Sequence, residues 1–273
     1  MFRLLLCAAL STIPLGAQAH EFWISPDAYV VGPDDLVTAA LRNGEGFVGS
    51  SFSYIPGRTA RFDMVVDGEA RPVPARIGDN PAFAVAEFPE GLLTIVHETT
   101  DSTLTYTPRD GRSGWERFVT FTEHKAMEGA PEEHLARGLP REGVTERYRR
   151  FVKALIAVGD GEGADAPAGL RTEIVAEANP YTDDLSDGLP VRVLLEGEPR
   201  ADAQVELFER APDGTVAITT HRTDGGGRAV LPVRAGHEYL ADAVALLPLD
   251  PDENAGAQWQ TLWAALTFAV PEA

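Results

Sequence analysis

Short apolar runs separated by turn residues constrain this chain more than any other feature of its sequence. Phe22-Trp23-Ile24 gives way to Pro26-Asp27, and residues 36–41 give way to Asn43-Gly44. Residues 61–66 alternate and end in Asp67-Gly68, a strong hairpin signal. Phe83, Val85 and Phe88 alternate ahead of Pro89-Glu90-Gly91, and residues 92–96 run into His97. The pattern returns after Leu170, with strands expected at 172–176, 191–195, 204–208, 216–220, 228–233, 239–246 and 262–270. Strands this short and this closely spaced predict a mainly β protein built from two sandwiches of Ig-like or transthyretin-like type.

Helical spacing intervenes between the two β regions. Trp115, Phe118, Val119, Thr122 and Ala126 recur with the period of a helix, and Gly129 follows as a stop. A looser stretch holds His134 and Arg137-Gly138-Leu139-Pro140. Tyr148, Phe151, Val152, Leu155 and Ile156 form a stripe that predicts a second helix, capped by Thr145 and ended by Gly159. Arg147, Arg149, Arg150 and Lys153 fall on or beside its polar face, where solvent or the acidic surface would receive them. Residues 159–169, rich in Gly, Asp and Ala, read as an exposed, flexible joint. The expected division is a first sandwich over 20–159, carrying a two-helix insert at about 115–158, and a second over 170–273.

The first 19 residues have the form of a cleaved secretory signal: Arg3, a short apolar core, Pro14 and Gly16, then Ala17-Gln18-Ala19. They predict export to the periplasm or beyond. The apolar run is shorter than the roughly 20 residues a spanning helix needs, and no later stretch qualifies, so membrane insertion is not expected. Cleavage would remove Cys7, the chain's single cysteine. Disulfides, thiolate zinc sites and iron–sulfur clusters are thereby excluded from the mature chain. The formal charge of −19 becomes −20 once Arg3 is lost, which makes nucleic acid and anionic membranes poor partners.

Four groups of residues carry a family likeness. They are Ala19-His20-Glu21-Phe22-Trp23; Trp115-Glu116-Arg117-Phe118 leading to His124-Lys125, His134 and Gly138-Leu139-Pro140; Glu146-Arg147-Tyr148-Arg149-Arg150-Phe151 with Lys153-Ala154-Leu155-Ile156; and Asn179-Pro180 with a closing Trp263-Ala264-Ala265-Leu266-Thr267-Phe268. In this order the chain resembles the periplasmic nickel-uptake-associated family, also known as domain of unknown function 4198. The resemblance implies an exported protein acting near transition-metal uptake, with nickel or cobalt as the metal. It also implies a membrane transporter or outer-membrane receptor as partner.

The chemistry of the residues points the same way. Cleavage after Ala19 would place His20 at a free N-terminus, where the α-amine and imidazole Nδ1 can chelate one metal ion. A further imidazole opposite would complete a three-nitrogen site that suits Cu(II) and can suit Ni(II). His97, at the end of an apolar strand, and His124 and His134, flanking the helix–loop junction, are the candidate partners. His237 and His221 rank below them. Glu21 and Glu98 could orient an imidazole from behind. No hydrolase elbow, zinc-protease motif, Walker loop or dinucleotide fingerprint occurs. The four tryptophans sit among apolar neighbours, as core residues do. The leading expectation is a metal carrier or uptake accessory with a nickel, cobalt or copper ion. A mononuclear copper oxidase with the same N-terminal site and a non-catalytic interaction module are the alternatives.

Overall fold

The computed structural model describes residues 21–272 of the chain. The strands, in chain order, are β1 (Glu21–Pro26), β2 (Val30–Val31), β3 (Val37–Glu45), β4 (Val48–Phe52), β5 (Thr59–Val66), β6 (Glu69–Pro72), β7 (Phe83–Val85), β8 (Gly91–Thr99) and β9 (Ser102–Thr105). Two helices follow, α1 (Gly114–His124) and α2 (Gly129–Ala136). The chain then continues as β10 (Thr145–Val158), β11 (Thr172–Ala176), β12 (Leu189–Leu195), β13 (Glu198–Pro199), β14 (Gln204–Arg210), β15 (Val216–Arg222), β16 (Arg228–Leu231), β17 (His237–Pro248) and β18 (Trp259–Val270). The fold is mainly β, a sandwich with a small helical insert, as the turn spacing predicts.

Three sheets form three layers. The middle layer has ten strands, with the order β15-β14-β17-β18-β10-β8-β5-β6 and with β2 and β9 also pairing β10. One outer layer is β1-β3-β4 with β7, and the other is β11-β12-β13 with β16. Strand alternation divides the middle layer's side chains between the two cores. Val152, Ala154 and Ile156 of β10, Leu240 of β17 and Ala265 of β18 pack with Trp23, Ile24, Val37 and Phe83 of the first outer sheet. Leu155, Tyr239, Ala241, Ala264, Leu266 and Phe268 pack with Ile174, Val191, Val193 and Leu231 of the second. The residues before 159 and those after 170 therefore share the middle layer, which draws strands from both.

The expected second helix over 145–158 is corrected: this segment is strand β10. Its apolar stripe does fit a helix, but every residue from Phe151 to Val158 is buried, four of them facing one outer sheet and the rest the other. A strand covered on both faces reads as a near-continuous apolar run, and such a run has no diagnostic period. The second helix of the insert is instead α2, in the stretch read as loose around His134. A smaller shift occurs after β3. The expected turn at Asn43-Gly44 lies three residues on, at Gly46 (φ 61°) and Phe47 (φ 62°), the backbone of a two-residue hairpin. Gly44 lies within the strand opposite Gly49, where a Cβ would stand 2.0 Å from the Val48 carbonyl oxygen. Phe47 holds its unusual conformation with its ring on Trp23 and under the Arg210 guanidinium, 5.6 and 4.0 Å away.

The joint at 159–169 is also corrected, because it is tied down along its length. Asn179 donates to the carbonyls of Gly161 (2.8 Å) and Gly163 (3.0 Å), and the Leu92 amide donates to Glu162 (2.7 Å). The amides of Ala168, Gly169 and Leu170 donate to the Glu173 carboxylate. Lys153 does not reach solvent. It is 1 % exposed, and its ammonium meets Asp165 at 2.7 Å and Glu173 at 3.9 Å. A buried carboxylate stripped of its counter-charge costs about 3–5 kcal/mol. Lys153→Met should therefore lower the unfolding free energy in urea by roughly 3 kcal/mol or more, and Lys153→Met with Asp165→Leu should recover part of the loss. A change below about 1 kcal/mol in the single variant would show that the joint does not depend on this pairing.

Candidate functional site

The site begins where α1 ends. Ser113 caps the helix by a reciprocal pair: its hydroxyl accepts from the Glu116 amide (3.2 Å), and the Glu116 carboxylate accepts from the Ser113 amide (2.7 Å). At the other end Ala126 turns left-handed (φ 53°). The Met127 amide reaches back to the Thr122 carbonyl (2.6 Å), and the Ala126 amide reaches the Glu123 carbonyl (3.1 Å). This closing pattern satisfies the last carbonyls and stops the helix at His124. Trp115, Phe118 and Phe121 seat the helix on Trp259, Trp263 and Val244 of the middle sheet. His124 is left at the helix terminus, and Lys125 is directed onto the sheet.

Lys125 is 4 % exposed and lies among carboxylates. Glu206 of β14 and Asp242 of β17 are directly opposite in register. Like charges so placed repel, and the Lys125 ammonium bridges them, bonding Glu206 closely and Asp242 at 3.0 Å. Its Nζ also stands 5.0 Å from the centre of the Trp263 ring. Burial works against the charge on Lys125, but Asp242, Glu206 and Glu21 outweigh it and hold its pKa above the usual range. Burial raises Asp242, with Lys125 opposing. Glu206 stays below the ordinary carboxylate value despite its burial, because His124 and Lys125 both bond it. Glu21, the first described residue, is 3 % exposed. Burial, with Asp242 next, pushes its carboxyl up to about 8, so it keeps its proton at neutral pH.

His124 occupies the outer edge of this cluster. Its Nε2 lies 3.1 Å from Glu206 Oε1, and its side chain is 55 % exposed. The Gln204 side-chain amide donates to the His124 carbonyl (2.8 Å), which fastens the helix end to β14. The hydrogen bond to Glu206 raises the His124 pKa. In the neutral ring, Nε2–H donates to the carboxylate and Nδ1 keeps its lone pair.

The other candidate ligands lie elsewhere. His20 falls outside the described residues, as does the expected signal at 1–19. His134 is fully buried, and both of its nitrogens are engaged. Nε2–H donates to the Pro140 carbonyl (2.8 Å), and Nδ1 accepts from Trp259 Nε1 (3.1 Å). Its ring packs on Trp115, Phe118 and Trp259 as part of the insert's core. His97 is 2 % exposed, packed against Phe22 and Phe62, with Nε2 3.2 Å from Thr59 Oγ1. His237 pairs with Glu209 at 2.8 Å, and His221 with Thr219 at 2.9 Å. Among the described residues no group of three or more His, Cys, Asp or Glu side chains is arranged to hold a metal ion. Glu98 pairs with Arg149 rather than with an imidazole.

Sequence reasoning missed Glu206, Asp242 and Lys125. The available signal was a single charge within an apolar strand, as in Leu240-Ala241-Asp242-Ala243-Val244. Such a residue is costly to bury without a partner.

Burial drives the His97 pKa down to about 3, whereas an unfolded histidine titrates near 6.5. The unfolded chain therefore binds the extra proton between these values, and stability is lost as pH falls from about 6.5 towards 3, by up to ~1.4 kcal/mol per pH unit from this group. The substitution His97→Gln, which keeps a polar partner for Thr59, should flatten the stability–pH curve in that window. Parallel curves for the variant and the parent protein would show that His97 does not drive acid unfolding.

No helix among the described residues is long and apolar enough to cross a membrane. A comparison with curated proteins finds no match. Among solved structures, one similar chain is described as the crystal structure of a tetra-tandem repeat in the extending region of a large adhesion protein. It shows 10% identity and a TM-score of 0.21, over 92% of this chain and 50% of that one. Comparison with protein families matches residues 17–246 to the family described as Domain of unknown function (DUF4198), and the chain belongs to that family.

Proposed function

We propose that this is a periplasmic protein that binds one divalent transition-metal ion, nickel, cobalt or copper, and acts as a carrier or accessory in its uptake. The observation that carries the reading is the His124–Glu206 pair. A carboxylate that accepts from one imidazole nitrogen fixes the tautomer and aims the other nitrogen as a ligand, the usual arrangement behind metal-binding histidines. Glu21 supports the reading further. It precedes the rest of β1 at the same charged cluster, and His20 is the residue bonded to it. In a chain cleaved after Ala19, His20 would contribute its amine and imidazole, and His124 Nδ1 the third nitrogen.

Among the described residues, His124 is the donor that suits such an ion. The carboxylates of Glu206 and Asp242 are engaged by Lys125, so they orient and balance charge rather than serve as ligands. His134 offers no free nitrogen, and His97 packs on Phe22 and Phe62 with Nε2 at Thr59, outside the carboxylate cluster. That leaves His124 as the internal imidazole of choice. Three nitrogens suit Cu(II) and Ni(II).

Calorimetric titration with Ni(II) and Cu(II) tests this. A chain beginning at His20 should bind one ion tightly, and a chain with one extra residue before His20 should lose that binding. His124→Ala should weaken binding by more than about 100-fold, and Glu206→Gln by roughly 10- to 100-fold. Unchanged affinity in His124→Ala, or equal binding by the extended chain, would overturn the site. Absence of binding in every form would leave the interaction-module reading.

A further inference from the structure

A cleft of about 610 Å³ opens between the first outer sheet and the middle sheet, with Phe22 of β1 in its wall. Its walls differ in composition from the rest of the molecule. The chain carries 42 acidic residues against 23 lysines and arginines, yet among the described residues no Asp or Glu lines the cleft, while Arg58 and Arg150 both do. Two smaller cavities, of about 240 and 310 Å³, each have several carboxylates in their walls.

Strand alternation explains the selection. On β8, His97 and Thr99 face the cleft, whereas Glu98 between them turns away to Arg149 (2.8 Å). On β10, Tyr148 and Arg150 face it, whereas Arg147 turns away and meets Asp101 at 3.6 Å. Glu98 and Asp101 are thus paired outside the cleft by Arg149 and Arg147. The Arg150 guanidinium is held between flat surfaces, 4.7 Å from the Tyr148 ring centre and 5.6 Å from that of Phe22. Its main-chain amide is anchored by Thr99 Oγ1 at 3.0 Å. Hydroxyls from Thr59, Thr100, Ser102 and Thr103 complete the polar part of the wall. His97 contributes a buried ring whose Nδ1 has no hydrogen-bond partner among the described residues.

We propose that this cleft binds a small organic carboxylate with a flat apolar body. The volume lies within the range of small-molecule sites, which combine apolar walls with a few placed polar groups. Guanidinium groups match carboxylate geometry, and aromatic faces receive a flat body. An acidic protein surface repels an anion in general, so a carboxylate would favour a wall lined by arginine and hydroxyls over the carboxylate-lined cavities. The inference is independent of the metal site, since it uses neither His124 nor Glu206.

The probe is 2-naphthoate, with its neutral isostere 2-naphthamide as control, titrated calorimetrically into the full chain without added metal. The expected result is saturable one-to-one binding of naphthoate, about tenfold or more tighter than naphthamide. Arg58 is exposed, so Arg58→Gln should leave the fold intact and weaken naphthoate roughly fivefold with little effect on naphthamide. Ser102→Trp, on the exposed strand β9, should fill the cleft and abolish binding of both probes. Equal affinity for the two probes, no saturable binding of naphthoate, or naphthoate binding that survives Ser102→Trp unchanged would each overturn the proposal.

Discussion

Burial of the ten-stranded middle sheet on both faces is the constraint from which the rest of the structure follows. Strand β10 lies within that sheet, beside β18 and β8, with its last eight residues buried. Each outer sheet needs an apolar surface to cover, and the alternating side chains of β10, β17 and β18 provide one on each side. A charge in this layer must be neutralised locally, because solvent does not reach it. Lys153 meets that demand on one face through Asp165 and Glu173, and Lys125 meets it on the other through Glu206 and Asp242.

These two buried lysines have different consequences. Lys153 lies within a strand and fastens the segment at 159–169 to the sheet. Lys125 comes from the helix terminus, so the same kind of pairing fixes the helical insert against β14 and β17. It also determines the state of the neighbouring groups. With one Glu206 oxygen committed to Lys125, the other is available to His124, and the imidazole is oriented by a carboxylate whose charge is already partly balanced. Glu21 of β1 acts on Lys125 in this cluster, and the next residue, Phe22, lines the cleft. The charged cluster and the cleft therefore meet neighbouring residues of one strand, Glu21 and Phe22.

Much of the fold was legible in the chain. The apolar runs between turn residues correspond to β1, β3, β5, β8, β11, β12 and the strands from β14 to β18, because half-buried antiparallel strands alternate and their turns need particular residues. The helix around Trp115 was legible from its period, and Ser113 with Glu116 caps it. The strand at 145–158 was not, since burial on both faces erases alternation and leaves a run that also fits a helical stripe. The segment at 159–169 has the composition of a linker, and only its hydrogen bonds to Asn179 and Glu173 show that it is held.

The histidines mark the same boundary between local and global information. The sequence by itself determined which ligand types exist: six imidazoles, abundant carboxylates, and no cysteine beyond Cys7. It could not rank them, because a histidine's role depends on what its two nitrogens meet. His134 meets Trp259 and Pro140 and becomes core, whereas His124 meets Glu206 and keeps one nitrogen available. Glu206 and Asp242 are 36 residues apart in sequence and become neighbours only through the register of β14 with β17. Strand patterns and turn chemistry are encoded locally, within a few residues. Electrostatic partners are decided by which strands pair and which helix end lands on them, and for this chain only the tertiary structure decided that.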